Sequence, residues 1–513
     1  MVREKPLIQQ YQISVFQRFA RLGPQLLRRN PFHGDIIPNR VPLFSFASNR
    51  PTLPFPHPWN YQKPIQILDT YFWDAESNHL SGRHNRFLDV PWFSPVLVTR
   101  DPSVIRAIST ATGDRPGQFD RDTLPSRGIA RATGEDSLLY ANGPSWKRQK
   151  KIANPAFART TLFQPERFGE FADSFRQTVV QRIDALERLI EHPSKPVRVE
   201  LEPEIKAVML ELLVNNFFGA SIPYNQIRER YVPGLDCVIE HIVRDSVVNV
   251  AGCPLHRIPS FSNRIKKAKE ASAIFEELTD LALAGRKEGR GLWAQFKSEA
   301  PDSDLRSNIR VFLAGALEAT TSYTSWAIAH LARHPEVQER VFLEVHNIVK
   351  YTPETLGNAT YLRHVLDETL RLTPSLYFHP RRATMDTWIE TSSGQRMRIP
   401  AGTHILMDVW HANRHEDHWG VQATGYPAID FVPERWERLG RQGKDNGDFL
   451  HFGFGHGPRF CPGKSLGQME VALVVGTFVK LFRFNAVNVE NPERASVSTK
   501  PQDGVMVDLA LRS

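Results

Sequence analysis

The 513 residues, 41% hydrophobic and 23% charged, have the balance of a globular chain with a sizeable core, which excludes wholesale disorder. Three cysteines, Cys237, Cys253 and Cys461, are too few and odd in number for a disulfide scaffold and suit a reducing compartment. The formal charge of +8 gathers at the start, where residues 1–50 hold eight lysines and arginines against two acids, so nucleic-acid binding does not follow from it.

Residues 7–29 place Ile8, Tyr11, Val15, Phe19, Leu22 and Leu26 at helical intervals, with arginines on the other side. Two readings stand: a helix docked on the protein's own body, or a peripheral helix on an anionic membrane surface. The longest apolar run, 471–479, is too short to span a bilayer and ends at Lys480, and no secretory signal is visible. An intracellular protein, cytoplasmic or peripherally membrane-associated, is the expectation. Residues 51–64 hold five prolines and read as a stiff hinge. The expected organisation is therefore a basic segment (1–50), a hinge (51–64) and one main domain (65–513).

Within the main domain, helical patterns run over 165–195, 204–220, 263–300, 305–333, 335–351 and 463–480. Strand signals cluster in two hairpins, 86–100 and 387–402, the second turning at Ser393-Gly394. The fold class expected is mainly α with a minor β region, an α+β arrangement.

Residues 452–463, FGFGHGPRFCPG, set Cys461 behind alternating glycines, with Arg459 two positions ahead and Pro462 opening a buried helix. A helix start favours a thiolate. Gly453, Gly455, Gly457 and Gly463 permit positive φ and let the backbone lie against something flat. That constellation suits a haem iron ligand. The full pattern Phe454-x-x-Gly457-x-Arg459-x-Cys461-x-Gly463 resembles the haem-ligand signature of the cytochrome P450 family.

The resemblance extends upstream in order. Glu368-x-x-Arg371 is similar to the family's Glu-x-x-Arg pair, one face of a helix at i, i+3. Phe431-Val432-Pro433-Glu434-Arg435-Trp436 resembles the segment whose arginine completes a structural network with that pair. Trp146-x-x-x-Lys150 resembles the family's Trp-x-x-x-Arg, with lysine in the last place. By resemblance, Trp146, Lys150, Arg381 and Arg459 face the haem propionates, Phe454, Gly457 and Gly463 complete the cofactor contact, and Cys461 is the axial ligand of haem b iron. His451 and His456 also lie near Cys461, and the resemblance gives neither a ligand role.

One departure stands out. The family's oxygen-activation helix carries an alcohol after its acid. Aligned on Glu318 and His334-Pro335, that position holds Ala319, with Thr320 one residue on, about 100° further round the helix. Glu318 is the expected acid of a proton path. Thr320 substitutes for the alcohol, or back-bonds to a helix carbonyl. The substrate pocket implied by the resemblance includes Leu376, Tyr377, Phe378, the helix at Ala314–Ala319 and the turn near Val505, all suited to a hydrophobic molecule.

The function implied is a haem-thiolate monooxygenase that inserts one oxygen atom from O2 into a hydrophobic substrate, in specialised metabolism. Electrons then come from an external NADPH-dependent reductase or a ferredoxin, with Lys147, Arg148, Lys150, Lys151 and Lys464 as a docking face or a plain solvated one. The alternatives are a hydroperoxide isomerase or dehydratase of the same fold, and a haem sensor without turnover.

Overall fold

In the computed structural model, β1 (Arg40–Pro42) lies parallel to β2 (Asn85–Asp89), and β2 runs antiparallel to β3 (Val96–Thr99), forming the hairpin expected over 86–100. The structure describes residues 40–42, 65, 68, 73, 84–89, 96–112, 118–123, 127–158, 165–240 except 189 and 191–194, 262–296, 300–441 except 351, and 451–512 except 491. The expected amphipathic segment 7–29 and hinge 51–64 lie outside the described residues.

Helix α1 (Pro102–Thr110) starts where its sequence says it should. Asp101 accepts from the Ser103 and Val104 amides, and Pro102 opens the first turn. Next come β4 (Phe119–Arg121), α2 (Gly143–Phe157), α3 (Pro165–Glu187), β5 (Val197–Glu200) and α4 (Glu202–Glu211). The chain is helical again over 224–240. Helix α5 (Ser262–Lys287) is shorter than the expected 263–300. Gly289 and Gly291 both take φ +75° and break the run. A Cβ on Gly291 would stand 2.5 Å from the Gly219 nitrogen, so two backbones touch there.

Helix α6 (Asp302–Val311) continues through a π-helical turn, Phe312–Ala316, into α7 (Leu317–Arg333). After α8 (Pro335–Val345) and α9 (Thr360–Leu372) the chain forms β6 (Phe378–Ala383), β7 (Thr387–Glu390), β8 (Arg396–Ile399) and β9 (His404–Asp408). The β7–β8 hairpin turns as expected, with Gly394 at φ +76°. Helix α10 (Glu434–Arg441) and α11 (Lys464–Leu481) follow, then β10 (Phe482–Ala486), β11 (Glu493–Ala495), β12 (Thr499–Pro501) and β13 (Met506–Leu511).

Helices α3, α4, α7 and α11 pack into a four-helix core. Two of them are buried on nearly every face, which fits a central position. In α11, Leu466, Val471, Leu473, Val475, Phe478 and Val479 are all buried. In α7 the run 321–332 is buried throughout. One six-stranded sheet has the order β1-β2-β3-β9-β6-β4, and a three-stranded sheet has the order β10-β13-β5. The β content is thus larger than the two hairpins read from the sequence. Among the described residues, no helix is long and apolar enough to cross a membrane.

Candidate active site

The cysteine loop enters α11 differently from the expectation. Gly463 is the N-cap and Lys464 the first helical residue, so Cys461 and Pro462 belong to the turn before the helix. The Cys461 amide donates to the Phe454 carbonyl at 2.8 Å, which closes the loop on itself. Burial pushes the Cys461 thiol up to about 11, against weaker pulls from the Gly463 amide and Lys464. Desolvation therefore outweighs the helix start. A metal cation bonded to sulfur takes the proton's place and restores the thiolate.

The glycines also divide their tasks. Gly455 and Gly457 take φ +72° and +70°, whereas Gly453 and Gly463 do not need positive φ. At Gly457 a Cβ would sit 2.3 Å from the Ser109 carbonyl oxygen, so this glycine lets the loop press on the end of α1. Of the four glycines expected to permit positive φ, only Gly455 and Gly457 use it.

Beside this loop lies a group of buried cations. The Arg459 guanidinium stands 4.4 Å from the Trp146 ring centre, and Lys150 Nζ stands 4.8 Å from the same ring. Trp146 is buried and fixes both by cation–π contact. Lys150 donates to the Pro458 carbonyl at 3.2 Å. Arg459 Nη2 donates to Asn142 Oδ1 and to the Ala141 carbonyl, leaving Nε and Nη1 buried without a partner. Arg381 Nη1 donates to the Pro380 carbonyl, and its Nε is equally orphaned. A third guanidinium, Arg121 on β4, joins them with its own orphaned Nε.

These groups repel one another. Burial and then Arg121 push Arg459 down to about 9, and burial with Arg121 and Arg459 lowers Arg381 further. Burial, then Arg381 and Arg121, take His379 down to about 3. Buried, mutually repelling cations with unused donors call for an anion. Two propionates supply two carboxylates, so the residues present fit a haem. Replacing Arg381 by leucine is expected to speed haem loss about tenfold, the worth of one charge-assisted hydrogen bond. It should also raise the unfolding midpoint of the haem-free chain, since a repelled buried cation is gone. Transfer of haem to an acceptor protein and a melting curve of the apoprotein measure the two effects.

Glu368, Arg371 and Arg435 meet at full burial. Arg371 grips both oxygens of Glu368, at 2.8 and 2.9 Å, a bidentate pair at i, i+3. Arg435 Nε donates to Glu368 Oε1 at 3.2 Å and Trp436 Nε1 to Oε2 at 3.1 Å. The remaining guanidinium donors reach carbonyls of Asn413, Ala428, Trp419 and Pro427. A single carboxylate thereby holds α9, the start of α10 and the segment 413–432 together. Asn413 Oδ1 accepts from the Phe452 amide, which carries that rigidity to the cysteine loop.

On α7 the structure bears on two expectations, Glu318 and Thr320. Glu318 is buried and bound by Lys206 Nζ at 2.6 Å and Lys500 Nζ at 3.2 Å, with Ser498 Oγ donating at 3.1 Å. Burial favours its neutral form, but Lys206 and Lys500 outweigh that and hold it ionised, well below the ordinary carboxylate range. It is a fixed carboxylate, not a resident acid. Thr320 Oγ1 donates to the Ala316 carbonyl at 2.9 Å, the back-bonded state. Ser375 Oγ instead reaches this level, donating to the Ala319 carbonyl at 2.9 Å. The π-helical turn one residue before Leu317 offsets the register here, a device common at functional sites.

The pocket expectation holds Leu376, Tyr377 and Phe378 in one strip. Leu376 is exposed, while Tyr377 packs with Trp410 and Ala495 and lies edge-on to Phe378. Val505 does not join them. It is buried in the helical core at φ +63°, and its carbonyl accepts from Leu201 at the start of α4. The turn that meets α7 and Tyr377 is 496–499 instead. Thr499 bonds Ser375, Pro374 and Trp326, and Tyr377 Oη donates to the Ser496 carbonyl.

Of the five basic residues read as a docking face, Lys147, Lys151 and Lys464 are exposed. Arg148 is committed to Asp136 and Asp304. His451 Nδ1 accepts from the Gly453 amide, while burial and then Arg106 lower His456, which favours its neutral ring. Sequence reading missed Arg121 and Asn142. Asn142 bonds the Arg121 backbone in both directions and orients Arg459 as well.

The comparisons agree with this geometry. Residues 91–507 match the cytochrome P450 family. The chain is 30% identical over 466 residues to cytochrome P450 monooxygenase FSL4 of Gibberella zeae, covering 81% of this chain and 79% of that one. It is 25% identical over 432 residues to cytochrome P450 monooxygenase milC of Cordyceps militaris, covering 77% and 78%. It is 24% identical over 449 residues to cytochrome P450 72A552 of Barbarea vulgaris, covering 82% and 77%. With a loop cysteine, orphaned cations beside it and a match over most of its length, the chain belongs to the cytochrome P450 family of haem-thiolate monooxygenases.

Proposed function

We propose that the chain inserts one atom of O2 into a hydrophobic molecule of moderate size in specialised metabolism, with Cys461 as iron ligand. The observation that carries this reading is the set of buried, unpartnered guanidinium donors of Arg121, Arg381 and Arg459 beside the Cys461 loop. Named monooxygenases among the fungal relatives support the reaction class. The bound haem supplies oxygen activation, to which a thiolate ligand contributes by pushing electron density onto iron.

The chain's own residues do the rest. Arg121, Arg381, Arg459 and Lys150 bind the propionates, and Trp146 fixes two of these cations in place. Glu368, Arg371 and Arg435 hold the cysteine loop still. Tyr377 and Phe378 supply aromatic surface on the α7 side, and the 496–499 turn closes behind them. Lys147, Lys151 and Lys464 meet an acidic reductase. The Glu318–Lys206–Lys500 cluster fixes the segment of α7 that carries Ala319, and protons arrive through water held at that level.

A second reading, rearrangement of a hydroperoxide, is favoured by one observation: Ala319 offers no alcohol and Thr320 spends its own on Ala316. Product analysis of the purified protein separates the two. With a surrogate reductase, NADPH and a panel of apolar compounds, the proposed function predicts oxygenated products labelled from 18O2. Turnover of a hydroperoxide that ignores NADPH and reductase contradicts it.

A further inference from the structure

Away from the haem site, three histidines and a carboxylate gather at one point. His84 stands at the head of β2. His415 caps the short helix Glu416–Trp419, and Asp417 and His418 lie within it. Ligand atoms of His84, His415 and Asp417 all lie within 4.8 Å of one another. The His84 and His415 rings meet edge to face at 4.3 Å, and His418 is 5.5 Å from His415 and 6.4 Å from His84.

The donors are available. His84 Nδ1 and His418 Nε2 are buried without a hydrogen-bond partner. His415 Nδ1 accepts the Asp417 amide, which orients the ring and leaves Nε2 for another partner. Glu416 has a separate task, accepting the Val421 and Ala428 amides, so it does not compete. The charged groups acting on these rings are Arg100, Asp101 and Asp417, two carboxylates against one guanidinium that lies over the Trp73 ring.

Neutral imidazoles and one carboxylate are the ligand set of a zinc-class ion. Ligands of one tetrahedral zinc stand roughly 3.4 Å apart, given bonds of about 2.0–2.1 Å. Asp417 Oδ2 lies 3.9 Å from His84 Nε2 and 3.8 Å from His415 Nδ1, between the two rings, and its 66% exposed side chain is free to turn towards either ring's unused nitrogen. We propose that His84, His415 and Asp417 bind a divalent cation of the zinc class, with the His418 ring beside them. The ion would tie the first sheet to the segment whose Trp419 carbonyl receives Arg435, and so to the Glu368 network.

Equilibrium dialysis of tag-free holoenzyme against zinc alone, with metal counted by atomic emission, tests this. The expected result is one zinc per chain at a Kd of ~1 µM or tighter, weakened at least about tenfold in His84→Asn and His415→Asn. Asparagine preserves the cap at position 415, and haem absorbance reports folding of each variant. His346→Asn, remote from the cluster, is expected to bind like the parent. Absence of zinc uptake, or equal uptake by His84→Asn and His415→Asn, overturns the proposal. Should either variant lose its haem, the zinc-dependent rise in melting temperature decides. It is expected in the parent and absent in Asp417→Asn, and its persistence in Asp417→Asn also overturns the proposal.

Discussion

Replacing Glu368 by glutamine is expected to cost about 3–5 kcal/mol of stability, because it leaves two buried guanidinium ions without their carboxylate. Arg371 and Arg435 have no exposed surface, so water cannot replace the lost charge. Carbonyl acceptors remain around both, but a neutral amide offers one oxygen where the carboxylate takes bonds from four groups, Arg371, Arg435, Trp436 and the Val432 amide. A loss of that size is a fifth or more of the roughly 5–15 kcal/mol that stabilises an ordinary domain. Urea unfolding followed by both haem absorbance and far-UV signal measures it. Haem loss should lead the loss of helix, since the network holds the cysteine loop through Asn413. An exposed pair such as Lys287–Asp302 makes the control, with a change below about 1 kcal/mol on removal.

The second large effect concerns Glu318. Removing its charge with Glu318→Gln leaves Lys206 beside Asp236 alone and Lys500 beside Glu202 alone. Lys206 is almost wholly buried, and burial by itself would strip its proton; Glu318 and Asp236 outweigh that and keep it charged. The expected cost is about 3 kcal/mol at pH 7. The pH dependence carries a sign. Glu318 is held below its unfolded value of about 4.3, so its stabilisation is complete above that value and is lost as pH falls through and below it. The stability gap between parent and Glu318→Gln should therefore be constant from pH 7 to about pH 5 and then narrow by up to ~1.4 kcal/mol per pH unit. A gap that widens on acidification would mean that Glu318 rests as the protonated acid. Activity in Glu318→Gln is then informative, because a fixed carboxylate predicts a changed coupling of electrons to product rather than a changed acid limb of the rate profile.

The sequence revealed the parts of the site that are contiguous or share one element. Cys461 and its flanking glycines lie within twelve residues, and Glu368 and Arg371 share one helical face. Arg435 was legible only through its order in the chain. What escaped was assembled from distant segments. Arg121 sits on a three-residue strand with no periodicity, between two acids that suggest solvent. Lys206 and Lys500 come from a helix and a strand nearly 300 residues apart, and neither carries a mark that it will meet Glu318. The turn at Thr499 was not read beside Val505 for a related reason. Both sit in short strands or turns of apolar and small residues, and only the pairing of β13 with β5 turns Val505 towards α4.

The fold shows the same division. Helix starts were placed within a few residues of their observed limits, but the ends of α3, α5 and α8 fell short of the expected 195, 300 and 351. The three-stranded sheet was invisible because β5 and β13 are paired across roughly 300 residues. Glycine was readable as freedom but not as purpose: Gly457 serves a contact with Ser109, on a helix far away in sequence.

The central claim is that Cys461 is the iron ligand in a site whose cations hold the propionates. The carbon-monoxide difference spectrum of the reduced holoenzyme, compared with Cys461→Ala, tests it most directly. A band at the position of thiolate-ligated haem, present in the parent and absent from Cys461→Ala while haem content is retained or restored by added imidazole, is the predicted result. A parent spectrum like that of histidine-ligated haem, or a thiolate-type band that survives in Cys461→Ala, would contradict the account.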